Sequence, residues 1–232
     1  MNPLIAALRG TLVVSCQAYP GEPMRHPETM AQVAESAVRG GAAAIRAQGL
    51  ADISHIAGRV DVPVIGLWKH GRGPVHITPT LRHARAVLDA GADIVAIDAT
   101  ARPRPDGLTV AQTVAGLRHS HPGAIIMGDC GSVEDGLAAA DAGVDVVATT
   151  LSGYTGDRPR TDGPDLELLA ELVAALPHHA IVAEGRIHTP AQASAALAAG
   201  AHCVVVGTAI THPQSITGWF AAALTSPVPQ LP

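Results

Sequence analysis

A chain of 232 residues is long enough to bury a substantial core and is an ordinary length for one α/β barrel, so a single domain over 1–232 is expected. Hydrophobic residues make up 47% and aromatic ones 2%, so that core must be built from Ala, Val, Leu and Ile rather than from ring stacking. A formal charge of −5 with scattered Lys and Arg offers no basic stripe for nucleic acid, and no run of about eighteen apolar residues or export signal is present, which predicts a cytoplasmic protein.

Short β-branched apolar runs alternate with Ala-rich segments of helical period. In chain order, strands are expected at 11–17, 43–47, 62–69, 93–99, 124–130, 145–151, 180–184 and 202–207. Helices are expected at 28–40, 81–90, 110–119, 133–142, 166–176 and 190–199. His-Pro-Glu at 26–28, Thr-Pro-Thr at 78–80, Ser-Val-Glu-Asp at 132–135 and Thr189-Pro190 supply starts, and Gly-Ala or Gly-Val steps at 91–92, 143–144 and 200–201 supply stops. Eight nearly continuous apolar strands with intervening helices predict a closed (β/α)8 TIM barrel, with an open doubly wound sheet as the alternative. Pro/Gly-rich stretches at 71–74, 102–107 and 156–164 then fall at the carboxyl-terminal mouth, and a tail from about 226 is expected to be loosely held.

Cys16, Cys130 and Cys203 sit inside apolar runs without paired spacing, which predicts buried thiols. The 12 His are spread along the chain and point to no metal site.

Polar residues gather at strand ends: Gln17, Arg46, Lys69, Asp98, Asp129, Thr150 and Glu184. Singly, each could be polar because it reaches solvent; seven in succession mark the mouth where barrel enzymes assemble their sites. If Lys69 points inward, so do Leu67 and Ile65, and an amine above an apolar layer has a depressed pKa. Glu184 ends the seventh strand, four strands away around the ring, so the two groups approach a bound carbon from opposite faces. Inversion at a C–H centre requires that arrangement. The competing reading is a structural Lys69–Glu184 ion pair.

Gly185 and Arg186 follow the seventh strand, and Gly207 and Thr208 follow the eighth. Barrels commonly cradle phosphate there, on backbone N–H groups and the start of a short helix, with Arg186 as counter-charge; a tight strand–helix turn is the plainer alternative. Arg46 inside a barrel needs a carboxylate or ligand partner, and Asp129 either supplies it or orients a sugar hydroxyl. Arg102 and Arg104 are expected to close a salt-bridged turn with Asp98, Trp68 to pack outward, and Ser152-Gly153-Tyr154-Thr155 to be either a closing loop or a surface turn. No Walker or GxGxxG loop is present.

With these residues in place the chain resembles the N-acetylmannosamine-6-phosphate 2-epimerase family over roughly residues 8–222. The motifs are Val-Ser-Cys-Gln-Ala-Tyr-Pro-Gly-Glu-Pro (14–23), Ile-Arg-Ala-Gln-Gly (45–49), Ile-Thr-Pro-Thr (77–80), Asp-Ala-Thr-Ala-Arg-Pro-Arg-Pro (98–105), Thr-Thr-Leu-Ser-Gly-Tyr-Thr (149–155), Ala-Glu-Gly-Arg-Ile (183–187) and Val-Val-Gly-Thr-Ala-Ile-Thr (205–211). The resemblance implies C2 epimerisation of a phosphorylated N-acetyl sugar without a cofactor, in amino-sugar and sialic-acid breakdown. It implies Lys69 and Glu184 as the proton-transfer pair, Gln17, Arg46, Asp129 and Arg186 as substrate contacts, Gly185, Gly207 and Thr208 near the phosphate, and a homodimer. One departure is the stretch after Lys69, where the family's Arg-Asp-Tyr and a slightly longer loop give way to His-Gly-Arg-Gly-Pro-Val-His; what that triplet contributes is missing here or supplied by His70 and Arg72. Other readings of the same residues are an imine-forming Lys69 in an aldolase-like enzyme acting on a sugar phosphate, and a non-catalytic sugar-phosphate sensor.

Overall fold

Strands that are apolar on both faces must be covered on both, and this chain does so by closing its sheet on itself and ringing it with helices. The computed structural model describes residues 1–156 and 158–225. It runs α1 (Pro3–Ala7), β1 (Leu12–Cys16), α2 (Pro27–Arg39), β2 (Ala44–Gln48), α3 (Leu50–Ala57), β3 (Val64–Leu67), α4 (Leu81–Asp89), β4 (Ile94–Asp98), α5 (Val110–Ser120), β5 (Ile125–Asp129), α6 (Val133–Asp141), β6 (Val146–Ala148), α7 (Leu166–Ala175), β7 (Ala180–Glu184), α8 (Pro190–Ala198), β8 (Cys203–Val206), α9 (Thr208–Thr211) and α10 (Pro213–Thr225). Every neighbouring pair is parallel and β8 returns to β1, with Leu12 opposite Val204 and Val14 opposite Val206, so the sheet is a closed (β/α)8 barrel and not an open one.

Strand alternation sorts the apolar residues into two layers. Val13, Ala44, Ile65, Leu67, Ala96, Met127, Ala148, Val182 and Val205 fill the barrel interior, which holds no aromatic ring among its buried apolar members. Val14, Ile45, Val95, Ile97, Ile126, Val147 and Val204 face outward against Met30, Ile53, Leu117, Leu168 and Leu172 of the helices. Trp68 joins this outer layer, as its position in the alternation requires. Close packing there leaves no room at Gly66, where a Cβ would meet Ala92 Cβ at 2.6 Å and Val87 Cγ1 at 2.7 Å.

The start signals act as expected. Thr189 forms a capping box with Gln192 ahead of Pro190, and the side chains of Ser132, Thr80 and His26 cap α6, α4 and α2. Gly91, just past α4, takes φ 103°, a conformation strained for any other residue. Three helices have no counterpart among those expected: α3, whose N-cap Gly49 offers no side-chain bond; α10; and α1, capped by Asn2 ahead of Pro3, whose Ile5 and Leu8 plug the amino-terminal end of the barrel while His202 Nε2 lies 2.7 Å from the Ile5 carbonyl.

Several strands are shorter than their apolar runs, because chains at the mouth diverge into loops. β3 stops at Leu67, and Lys69 instead pairs with Ile77 in an antiparallel bridge, reinforced by His70 N–H to the His76 carbonyl at 2.9 Å and Thr78 N–H to the Trp68 carbonyl at 2.9 Å. The lysine therefore sits at the neck of a hairpin rather than on a free strand end. The three thiols are buried and unpaired, and burial pushes those of Cys16 and Cys203 up to about 12. Among the described residues no helix is long and apolar enough to cross a membrane. The tail expected from about 226 lies outside the described residues.

Candidate active site

The seven polar strand ends do not share one role. Gln17, Lys69, Thr150 and Glu184 line a cavity of about 330 Å³ at the carboxyl-terminal mouth. Arg46 and Asp129, 1% and 0% exposed, form a charged layer beneath it and are not on its walls. Asp98 is absorbed by its own turn, accepting from Thr100 Oγ1 at 2.7 Å and from Arg102 NH2 at 2.6 Å, while Arg104 NH2 donates to the Thr78 carbonyl at 2.8 Å. The expected structural turn at 98–104 is what the structure contains.

Beneath the cavity, the Arg46 guanidinium binds Asp129 Oδ2 at 2.6 Å and Glu184 Oε2 at 2.9 Å. Thr150 Oγ1 donates to Asp129 Oδ1 at 2.7 Å and lies 3.3 Å from Glu184 Oε2. Glu184's ion-pair partner is thus Arg46. Lys69 Nζ donates instead to Gln17 Oε1 at 2.8 Å, whose Nε2 in turn donates to Ser15 Oγ at 2.8 Å. A structural Lys69–Glu184 ion pair is not how either side chain is held.

Burial dominates the electrostatics of both groups. It pushes the Glu184 carboxyl up to about 7, with the Arg46 charge pulling the other way and Asp129 adding to the rise. It lowers the Lys69 ammonium to about 8, helped by Arg46 and opposed by Glu184 and Asp129. Around neutrality one group is ready to give a proton and the other to accept one.

Gly185, Arg186, Gly207 and Thr208 come together on the cavity wall. Gly207 N-caps α9 without a side-chain bond, and a Cβ there would press on Ser15 Cβ at 3.3 Å. Arg186 adopts φ 56°, uncommon for a residue with a side chain. Its guanidinium is engaged by the β6–α7 loop: Nε donates to the Gly163 carbonyl at 3.1 Å, NH1 to the Ser152 carbonyl at 2.7 Å and NH2 to Thr161 Oγ1 at 3.1 Å. Arg186 is thus a latch for that loop as well as part of the wall.

The shortened loop after Lys69 sends a different residue to the cavity than expected. His70 turns away to pack between Trp68 and His83, Arg72 is exposed, and His76 lines the pocket. Also unnamed from sequence are Ser15, Tyr19, Thr211 and His212 on the walls, with Tyr154 brought there by its loop. Tyr19 carries the Lys69 ammonium 4.9 Å from its ring centroid, and His212 Nε2 lies 2.7 Å from Glu22 Oε1 across 190 residues of chain. Ser15 alone had a signal, since it shares the inward register of Val13 and Gln17.

Comparison with known proteins bears on the same arrangement. Residues 30–226 match the family model NanE, described as "Putative N-acetylmannosamine-6-phosphate epimerase". The chain belongs to the NanE family. Among NanE relatives, a "Putative N-acetylmannosamine-6-phosphate 2-epimerase" of Cutibacterium acnes is 61% identical, with 95% of this chain and 96% of that one covered. The protein of the same description from Caldanaerobacter subterraneus is 47% identical, covering 94% and 92%. The solved N-acetylmannosamine-6-phosphate 2-epimerase from Clostridium perfringens superposes with a TM-score of 0.91 at 39% identity, covering 96% of each chain. A thiamine phosphate pyrophosphorylase from Pyrococcus furiosus, at 20% identity and TM-score 0.61, shares the fold alone.

Replacing Arg46 by Met removes the shared partner of two buried carboxylates. The expected cost is about 3–5 kcal/mol, read by denaturant unfolding, because like charges are then buried together. Asp129→Asn added to Arg46→Met recovers part of that loss. An Arg46→Met protein as stable as the parent sinks this account of the charged layer.

Proposed function

We propose that this chain epimerises N-acetylmannosamine 6-phosphate to N-acetylglucosamine 6-phosphate at C2 without a redox cofactor, in amino-sugar and sialic-acid breakdown. The observation that carries the reading is the pair of opposed groups, Lys69 held by Gln17 and Glu184 held by Arg46, with pKa values of about 8 and about 7 on one small cavity. The proton at C2 is acidic when C1 is a carbonyl, so one group removes it to leave an enolate and the other returns a proton to the opposite face. In the reverse direction the two exchange roles. Gln17 orients the amine; Arg46 and Asp129 act on the substrate through the floor of the site, by the charge they set on Glu184. Gly185, Gly207 and Thr208 receive the phosphate, with the Arg186 charge behind them.

The whole chain acts as one barrel domain in the cytoplasm, paired as a homodimer. Support for pairing comes from α10, which buries none of its residues and leaves Phe220 70% and Leu224 87% exposed. Beside β1 and α2, an apolar groove lined by Leu12, Val14, Val33, Ala37 and Ile210 stands open. An uncharged, largely apolar helix without a core to cover and an open groove beside β1 and α2 fit a second copy of the chain.

Incubation with N-acetylmannosamine 6-phosphate in D2O, followed by proton NMR, should yield the gluco epimer with deuterium at C2. Lys69→Ala and Glu184→Gln should each lower turnover by about a hundredfold or more while remaining folded. Well-folded protein that neither converts the sugar nor exchanges its C2 proton ends this reading.

The pH dependence has a definite sign. Below about 7 both groups are protonated and no base remains; above about 8 both are deprotonated and no acid remains. The kcat/KM profile should be a bell with limbs near these values, which belong to the pair. A single-limbed profile argues against two-group catalysis.

Light scattering on a size-exclusion column should give twice the 23.6 kDa chain mass, and Phe220→Asp with Leu224→Asp should shift the protein towards monomer. A monomeric parent protein disposes of the dimer.

A further inference from the structure

We propose that Tyr19 sets the size of the N-acyl group the enzyme accepts, its ring forming the wall against which the acyl carbons pack. The inference rests on the reading of Lys69 and Glu184 as the proton-transfer pair at C2.

The first observation is where the rings are. The chain holds two Tyr, two Trp and one Phe, and both tyrosines line this cavity while each stays 50% exposed. The barrel interior is built without rings, so two half-covered aromatic side chains at its mouth leave apolar surface free for something that binds there.

The second is the place of Tyr19 relative to the chemistry. Its ring centroid lies 4.9 Å from Lys69 Nζ, and that amine must come within reach of the hydrogen on C2. The acyl nitrogen is bonded to the same carbon, so the acyl group begins about 1.5 Å from C2 and extends over only a few ångströms. A group tethered there lies in van der Waals range of a ring that close to the amine.

The third is that the ring is held in place. The Tyr19 N–H donates to Glu22 Oε2 at 2.7 Å, and the ring meets His212 edge-on at 6.2 Å and 74°. Glu22 is itself tied to His212, and His212 Nδ1 to Ser215 Oγ at 2.7 Å, so the β1–α2 loop and the start of α10 support the ring from behind. Tyr154 bounds the mouth from the β6–α7 loop, resting 5.2 Å and 5.4 Å from the Arg160 and Arg186 guanidinium carbons. Burial and the nearby charges of Glu22, Tyr154 and Glu184 hold the Tyr19 phenol neutral, which suits an apolar acyl chain. A fixed wall of this kind discriminates about 10- to 200-fold for one methylene.

The test is a ladder of substrates: the 6-phosphates of N-acetyl-, N-propanoyl- and N-butanoylmannosamine, with kcat and KM followed by proton NMR for the parent enzyme, Tyr19→Ala and Tyr19→Phe. The parent should lose about tenfold or more in kcat/KM for each added methylene. Tyr19→Ala should flatten that ladder to within about threefold, with KM for the N-acetyl substrate rising more than kcat falls, while Tyr19→Phe keeps the ladder because it keeps the ring. An unchanged ladder in Tyr19→Ala, or none in the parent, overturns the inference while leaving the C2 reaction standing. A parent enzyme that neither epimerises nor exchanges the C2 proton of the N-acetyl substrate shows instead that the underlying reading has failed, and this one with it.

Discussion

A guanidinium buried between two carboxylates is the constraint around which this mouth is organised. Arg46 is 1% exposed, and its charge is stable there only because Asp129 at 2.6 Å and Glu184 at 2.9 Å answer it. The three residues belong to β2, β5 and β7, so the interaction ties together strands that are not neighbours in the sheet. Two carboxylates against one arginine leave an excess negative charge in a low-dielectric layer. Burial in that layer is the main cause that lifts the Glu184 carboxyl to about 7, with Asp129 adding to the rise against the opposing pull of Arg46, so it exchanges a proton near neutral pH. In the proposed reaction a Glu184 held protonated at all pH would not serve as base, and one with an ordinary carboxyl pKa would not serve as acid near neutrality.

The amine on the opposite wall depends on the same layer. Arg46 helps burial to lower Lys69, and a lysine at about 8 is one whose neutral form is available. In the proposed reaction each of Lys69 and Glu184 must be able both to give and to take a proton, which a direct ion pair between them would oppose. The geometry achieves this by giving each group a different partner: Gln17, bridging to Ser15, for the amine, and Arg46 with Thr150 for the carboxylate. The hairpin neck at Lys69 and Ile77 fixes the backbone from which the side chain projects, and the bond to Gln17 fixes the amine itself.

What was legible in the sequence follows the range over which each cause acts. Strand alternation is local, so the inward direction of Lys69 and Glu184, the need of Arg46 for a carboxylate and the outward packing of Trp68 could all be read from neighbours two residues away. Capping is local too, which is why Thr189, Ser132 and Thr80 marked helices and the uncapped α3 went unnoticed. The Tyr19, Glu22 and His212 cluster joins the first loop to the last turn of the barrel, and no pattern along the chain anticipates a contact between residues 22 and 212. The loop after Lys69 misled for a related reason. His70 and Arg72 follow the lysine directly, but the antiparallel bridge folds the chain back so that His76, near the far end of the loop, is the one that reaches the cavity.

Arg186 shows how a site residue can be in the right place for a reason other than direct contact. Its φ of 56° is a conformation that costs of order 1–3 kcal/mol for a residue with a side chain, and it persists because the β6–α7 loop satisfies the guanidinium at three points. The same loop delivers Tyr154 to the rim, and Gly153 lets it fold tightly, since a Cβ there would meet Arg160 Cα at 2.7 Å. Held by its arginine latch and its glycine turn, the loop places Tyr154 on a cavity wall shared with Gly185, Gly207 and Thr208. The three hydrogen bonds from Arg186 thus hold in place a loop that forms part of the wall of the cavity on which Lys69 and Glu184 lie.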